Sequence, residues 1–315
     1  MRRVTILDDY QNVSLSSADW SGVTERFELD VITEHLGGDA LVARLADSEV
    51  IVAMRERTAF PAALLDRLPA LRLLVTTGAK NASIDLDAAR AHGVAVSGTR
   101  SAGNPVPELT IGMMIALTRH FVEEDTAIRA GGWQHTIGPG LAGLTLGVLG
   151  LGRLGAPVAR LAQALEMDVV AWSRSLTPEK AAEHGVRAVE RDELFRAADI
   201  LTIHVPLTPG TRDLVTAREL ALMKPSAYLV NTSRGPIVTE AALLDALYDG
   251  RLAGAALDVY DEEPLPAGHP LRSAPRTLLL PHIGYVTSDQ YARFYGDAAE
   301  DILSWEAGAP VRLIG

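Results

Sequence analysis

The sequence predicts an α/β protein built from two doubly wound parallel sheets. Three observations point there. Short β-branched runs alternate with Ala/Leu/Arg stretches of helical period along the whole chain. The strand runs are continuously apolar, as strands buried on both faces are. The 315 residues exceed the roughly 250–300 at which a single core stops growing, so two domains are the default.

In order, the first array offers strands VTILDD (4–9), LDVITEH (29–35), VIVAM (50–54), LRLLVTTG (71–78) and VAVSG (94–98). Helical pattern falls between them, over 39–46 and 61–68. One long helix is predicted over 107–128. The second array offers LTLGVLG (144–150), MDVVAWS (167–173), DILTIHVP (199–206), SAYLVNTS (226–233), AGAALDV (253–259) and TLLLPH (277–282). Its helices start near 154, 178, 192, 216 and 239, and a last helix covers 288–305. Alternation of this kind is the signature of βαβ units, whose ligands bind at the carboxyl ends of the strands.

Composition excludes several chemistries. With no cysteine there is no disulfide, thiolate metal site or cysteine nucleophile. A net charge of −11 argues against a broad nucleic-acid or anionic-membrane surface, which needs a positive field. No H-x-x-H or H-E-x-x-H pair suggests a metal, and none is expected. Residues 131–152 carry no Asp, Glu, Lys or Arg over a span-length stretch, but eight glycines and Pro139 make them a loop and one strand. Asp8 and Asp9 interrupt the first apolar run, so no secretory signal is read, and a cytoplasmic protein is expected.

The strongest local signal is LGVLGLGRLG (146–155), which sets Gly150, Gly152 and Gly155 in G-x-G-x-x-G spacing between a strand and a helix. The first glycine allows a tight turn, the second close approach of a pyrophosphate, and the third helix–strand packing. N–H groups from Arg153 and Leu154 onward would face the phosphates. A carboxylate about 20 residues on would bind the ribose of NAD. Here Trp172-Ser173-Arg174-Ser175 stands instead, and Asp168 comes too early in its strand. Ser173 and Arg174 suit the 2′-phosphate of NADP. The reading leans to NADP and leaves NAD open.

Three further strand exits carry polar residues: Arg234 in VNTSRGPIV (230–238), Asp258 and Glu263 in ALDVYDEEPLP (256–266), and His282 in LLLPHIG (278–284). With the glycine loop and HVPLTPGTRDLV, in this order and spacing, the chain from about residue 78 onward resembles the D-isomer-specific 2-hydroxyacid dehydrogenase family. The likeness extends to its glyoxylate and hydroxypyruvate reductases. It implies a Rossmann nucleotide domain over 100–285, inserted in a flavodoxin-like substrate domain of 1–99 plus 286–315. It implies NAD(P)-dependent hydride exchange between a small 2-oxo acid and a D-2-hydroxy acid.

The implied roles suit the side chains. Arg234 offers a planar fork of donors for a substrate carboxylate and carbonyl. His282 is the acid/base, and Glu263 favours its protonated ring. Asp258 would meet the nicotinamide carboxamide. His204, Pro206 and Thr232 would border the cofactor, and Thr211 would fix the 206–211 loop. In the first array, the backbone of Thr77, Gly78, Ala79 and Lys80 would form an anion nest, with Arg55 nearby. The run GAKNASID departs from the family pattern and leaves the substrate's side chain open. The resemblance also implies a homodimer through the 108–133 segment. Formate dehydrogenase, which shares the fold, has Gln where Glu263 stands. An NAD(P)H-sensing regulator without turnover remains the alternative from another class.

Overall fold

Strands β1 (Arg3–Ile6), β2 (Glu28–Val31), β3 (Ser48–Ala53), β4 (Leu73–Thr76) and β5 (Ala95–Gly98) pair in parallel in the order β2-β1-β3-β4-β5. Strands β6 (Thr145–Leu149), β7 (Asp168–Trp172), β8 (Arg187–Ala188), β9 (Ile200–Ile203), β10 (Tyr228–Asn231), β11 (Gly254–Leu257) and β12 (Thr277–Leu279) form a second parallel sheet. Its order is β12-β11-β10-β9-β6-β7-β8. The structure is a computed structural model and describes residues 2–315. The chain divides into two compact units, Met1–Gly103 with Val286–Gly315, and Asn104–Tyr285.

Both sheets reverse strand order once, the first between β1 and β3, the second between β6 and β9. A reversal leaves a crevice at the carboxyl edge, because neighbouring connections depart to opposite faces.

The second sheet buries both faces, and successive residues alternate between two cores. In β10, Tyr228 and Val230 enter the core that also holds Val158, Ala159 and Ala162 of the Gly155–Ala164 helix. Leu229 between them enters the core that holds Leu220, Leu243 and Leu247. A central strand of this kind shows no polar alternation, which is why its sequence run is apolar throughout.

In the first unit the Ser288–Glu306 helix buries Tyr291, Phe294, Tyr295, Ala298 and Ile302, a stripe at three- and four-residue spacing. It also holds the chain leaving β5: Asp297 accepts from Arg100 Nη2 at 2.7 Å and Nε at 3.0 Å. The tail then covers the β5 edge, with Ile314 N–H donating to Val96 O at 2.8 Å.

The sequence reading differs from the structure at the 107–128 helix. Two helices stand there, Val106–Thr118 and Phe121–Arg129, broken at His120, which takes a left-handed φ of 52°. Gly138 approaches so closely that a Cβ on it would lie 1.7 Å from Thr118 O. The returning 131–142 segment therefore packs against the last turn of the first helix. No Gly or Pro in the sequence marks this break. Helix Leu86–Ala91, capped by Asp85, and the short edge strand β8 are additions to the sequence reading. Among the described residues no helix is long and apolar enough to cross a membrane.

Candidate functional site

The glycine loop leaves β6 at the strand reversal of the second sheet. Gly150 takes φ +106°, and a Cβ there would fall 2.9 Å from the His204 carbonyl at the end of β9. A Cβ on Gly155 would lie 2.1 Å from Gly150 O, so only glycine lets the helix start this close to the strand. Gly152 faces open space within 4 Å and is exposed, as is Arg153. Leu154 is the N-cap of the Gly155–Ala164 helix. These are the three conditions a dinucleotide loop requires: a turn, an approach and a close helix start. The site fits a nicotinamide dinucleotide on this geometry.

Ser173 and Arg174 follow β7. The Ser173 hydroxyl accepts Leu151 N–H at 2.9 Å, tying the β7 exit to the glycine loop while keeping its own proton to donate. Arg174 is exposed and leans on the 206–211 loop, donating from Nη2 to Gly210 O at 3.3 Å. Thr211 fixes that loop by donating to Pro206 O at 2.6 Å and accepting Thr208 N–H at 2.8 Å. Thr211 therefore acts on the loop's own backbone.

His204 is buried, with Nε2 2.9 Å from Thr202 Oγ1 and Nδ1 without a hydrogen-bond partner among the described residues. Burial pushes its pKa down to about 4, so the ring is neutral near pH 7. It borders the glycine loop through its main chain and offers no positive charge to a phosphate. Thr232 Oγ1 lies 3.1 Å from Thr110 Oγ1.

Arg234 follows β10 in extended conformation and donates from Nη1 to Ser233 O at 2.7 Å. Asn231 donates from Nδ2 to Arg234 O at 3.0 Å, and its Oδ1 accepts Ser233 N–H at 3.0 Å, which shapes the exit. Glu263 and His282, nineteen positions apart, meet: Nδ1 of His282 is 2.5 Å from Oε2 of Glu263. The other Glu263 oxygen accepts Tyr260 N–H at 2.9 Å. Burial pushes the Glu263 pKa up. The His282 hydrogen bond and charge, the Tyr260 N–H and the Arg234 charge outweigh it and hold the carboxyl below its ordinary range. With Nδ1 turned to the carboxylate, Nε2 is the nitrogen left for a reaction partner.

His282 itself has φ 54°, a left-handed conformation that costs a non-glycine residue about 1–2 kcal/mol. Asp258 holds it: its two oxygens accept Ile283 N–H and Gly284 N–H, each at 2.8 Å. Asp258, expected at the nicotinamide carboxamide, also clamps the His282 turn with its carboxylate. Burial pushes the Asp258 pKa up, opposed by these two amides and by the His282 charge. Tyr285 packs its ring edge-on to His282, with centroids 5.8 Å apart. Asn231, Tyr260 and Tyr285 were not singled out in the sequence. Tyr260 lies inside the ALDVYDEEPLP run, but no spacing rule marks it.

In the first unit, two of the four amides assigned to an anion nest are already used. Thr77 N–H donates to Ala53 O at 2.9 Å and Gly78 N–H to Thr99 Oγ1 at 2.7 Å. Of the four, Ala79 and Lys80 are exposed. Arg55, at φ 52°, donates its N–H to Thr77 Oγ1 at 2.8 Å, and its guanidinium lies over Gly78. A Cβ on Gly78 would fall 1.8 Å from Arg55 Nη1, so that glycine (φ +90°) makes room for the arginine. Arg57 instead donates to Asp8 O at 2.6 Å and stacks over Tyr10.

The chain is similar to known proteins along most of its length. Residues 111–284 match the model of the D-isomer specific 2-hydroxyacid dehydrogenase NAD binding domain. The chain is 38% identical over 262 residues to a glyoxylate reductase of Aeropyrum pernix, covering 80% of this chain and 78% of that one. It is 33% identical over 318 residues to D-3-phosphoglycerate dehydrogenase of Bacillus subtilis, covering 99% of this chain. It spans 58% of that relative, and about half of others bearing the same name. The crystal structure of a phosphoglycerate oxidoreductase from Vibrio cholerae superposes with a TM-score of 0.92 at 33% identity, over 98% of this chain and all of that one. The chain belongs to the D-isomer specific 2-hydroxyacid dehydrogenase family.

Proposed function

We propose that the protein is an NAD(P)-dependent D-2-hydroxyacid dehydrogenase, reducing a small 2-oxo acid to the D-2-hydroxy acid and catalysing the reverse. The observation that carries the reading is the 2.5 Å His282–Glu263 pair, in the unit that carries the glycine loop. A nicotinamide cofactor, when bound, supplies or accepts the hydride. The protein's own residues do the rest. Gly150, Gly152 and Gly155 admit the pyrophosphate to the N–H groups of Arg153 and Leu154. Arg234 orients the substrate through its carboxylate and carbonyl. His282 Nε2 gives a proton to the carbonyl oxygen as that oxygen gains charge, and takes it back in the oxidative direction. Glu263, kept ionised, meets Nδ1 and fixes the orientation of the ring. Asp258 keeps acceptor capacity beyond its two amides for a carboxamide N–H. His204, Pro206 and Thr232 line the loops beside the cofactor, and Thr211 sets the shape of one of them.

The first unit contributes an anion-binding surface of its own, formed by the Ala79 and Lys80 amides and the Arg55 guanidinium. Chiral analysis of the product tests the activity: a D-2-hydroxy acid is expected, and an L product would contradict the reading.

NADP is the cofactor assigned, on Ser173 and Arg174 and the absence of a carboxylate at the β7 exit. Replacing Arg174 by Ala is expected to weaken NADPH binding about tenfold or more while changing NADH less than twofold. Titration of both cofactors reads this directly, and equal loss on both would remove the 2′-phosphate contact.

A second copy of the chain is the assigned partner. Glu124 holds the segment after Gly131 in place, accepting His135 N–H, Thr136 N–H and the Thr136 hydroxyl. That ordered segment presents Trp133 at 73% and Ile137 at 99% exposure, beside exposed Phe121, Val122 and Ile128. Apolar side chains displayed on a fixed segment mark an interface. Light scattering is expected to give twice the 33.6 kDa chain mass, and a monomer would contradict it.

A further inference from the structure

Three strand exits deliver the proposed catalytic side chains, and one residue touches all three. Tyr260 is buried at the exit of β11. Its N–H donates to Glu263 Oε1 at 2.9 Å, turning the carboxylate so that the other oxygen meets His282. Its hydroxyl donates to Leu280 O at 2.9 Å, two residues before His282, and lies 3.2 Å from Leu257 O. Its carbonyl is packed against Gly235, the neighbour of Arg234: a Cβ on Gly235 would fall 2.1 Å from the Tyr260 carbonyl carbon. Burial pushes the phenol's pKa further up, so the hydroxyl stays a donor at any working pH.

We propose that Tyr260 is the positioning residue of the site, its hydroxyl fixing the height of the His282 segment against the loop that carries Glu263. The proposal rests on the dehydrogenase reading above. The geometric reason is that the two members of the pair sit on different connections. The Asp258 clamp shapes the turn after His282, whereas the Tyr260 hydroxyl holds the strand end before it. A displacement of a fraction of an ångström along this segment misaligns Nε2, and catalytic geometry is steep in such displacements.

Tyr260→Phe removes the hydroxyl and keeps the ring and the N–H. It is expected to lower kcat about tenfold, with the KM for a 2-oxo acid and the Kd for NADPH within about twofold. The second reading needs no turnover: the His282 imidazole resonance, assigned by its loss in His282→Gln, is expected sharp in the wild type and broadened or doubled in Tyr260→Phe. Arg272→Ala is the control. Arg272 donates to Pro266 O at 2.8 Å and Leu265 O at 2.6 Å, so its loss loosens the far end of the Glu263 loop and leaves the Leu280 contact in place. That variant is expected to keep the resonance sharp. Wild-type kcat in Tyr260→Phe, an unchanged resonance, or equal broadening in Arg272→Ala would each overturn the proposal. Absence of turnover in the wild type would overturn the dehydrogenase reading instead, and the resonance would still test the brace.

Discussion

Replacing His282 by Gln is expected to lower kcat by about 10²–10⁴ while NADPH binding persists. The expectation separates two functions that the sheet keeps on different strand exits. The glycine loop follows β6, and His282 follows β12 at the edge of the same sheet. A glutamine amide can still donate to Glu263, so the pocket keeps its shape, but it cannot give up a proton. The left-handed φ of His282 adds a control, since Asn accepts that conformation more readily than Gln. His282→Asn should therefore be closer to wild type in stability and no better in turnover. Steady-state rates with cofactor titration check both variants. Near-normal kcat in either would remove the acid/base role.

The second large effect is expected at Arg234. Lysine there keeps the positive charge but loses the planar fork, and kcat/KM for a 2-oxo acid should fall about a hundredfold, or ~2.7 kcal/mol of transition-state stabilisation. The argument is geometric. The backbone at 234 is extended, the Asn231 side chain bonds Ser233 N–H and Arg234 O, and one Nη of Arg234 donates to Ser233 O. Holding carboxylate and carbonyl together suits the planar fork of a guanidinium, whose geometry a single ammonium does not reproduce. Steady-state kinetics with the Lys variant read the loss, and unchanged kcat and KM would argue against substrate binding by Arg234.

The sequence made the fold class legible because parallel strands buried on two faces leave long apolar runs, and β10 is an example. The glycine loop was legible because its three glycines fall within six residues, between an apolar strand run and a helical one. Other features left no trace of that kind. Beside the break at His120, Gly138, twenty positions after Thr118, packs on the Thr118 carbonyl. The use of Gly78 N–H by Thr99, and of Asp258 by Ile283 and Gly284, joins residues 21 to 26 positions apart with no periodic pattern. His204 looked like a cofactor neighbour on its motif. Burial against Thr202, which decides its charge, is a property of the packed sheet. Motifs thus locate strand exits, while the state of each polar group there is set by partners distant in the chain.

That distinction matters for the rival reading. A sensor of NAD(P)H on the same scaffold would need the glycine loop and Arg174 but no oriented proton donor. The ionised Glu263 against Nδ1, the Asp258 clamp and the Tyr260 brace all act on one imidazole, which nucleotide binding alone does not require. The most direct test is oxidation of NADPH and NADH by the purified protein with glyoxylate, hydroxypyruvate, pyruvate and phenylpyruvate. Saturable oxidation with at least one of these acids, faster with NADPH and abolished in His282→Gln, is the predicted result. Tight NAD(P)H binding with no oxidation by any of the four would contradict it.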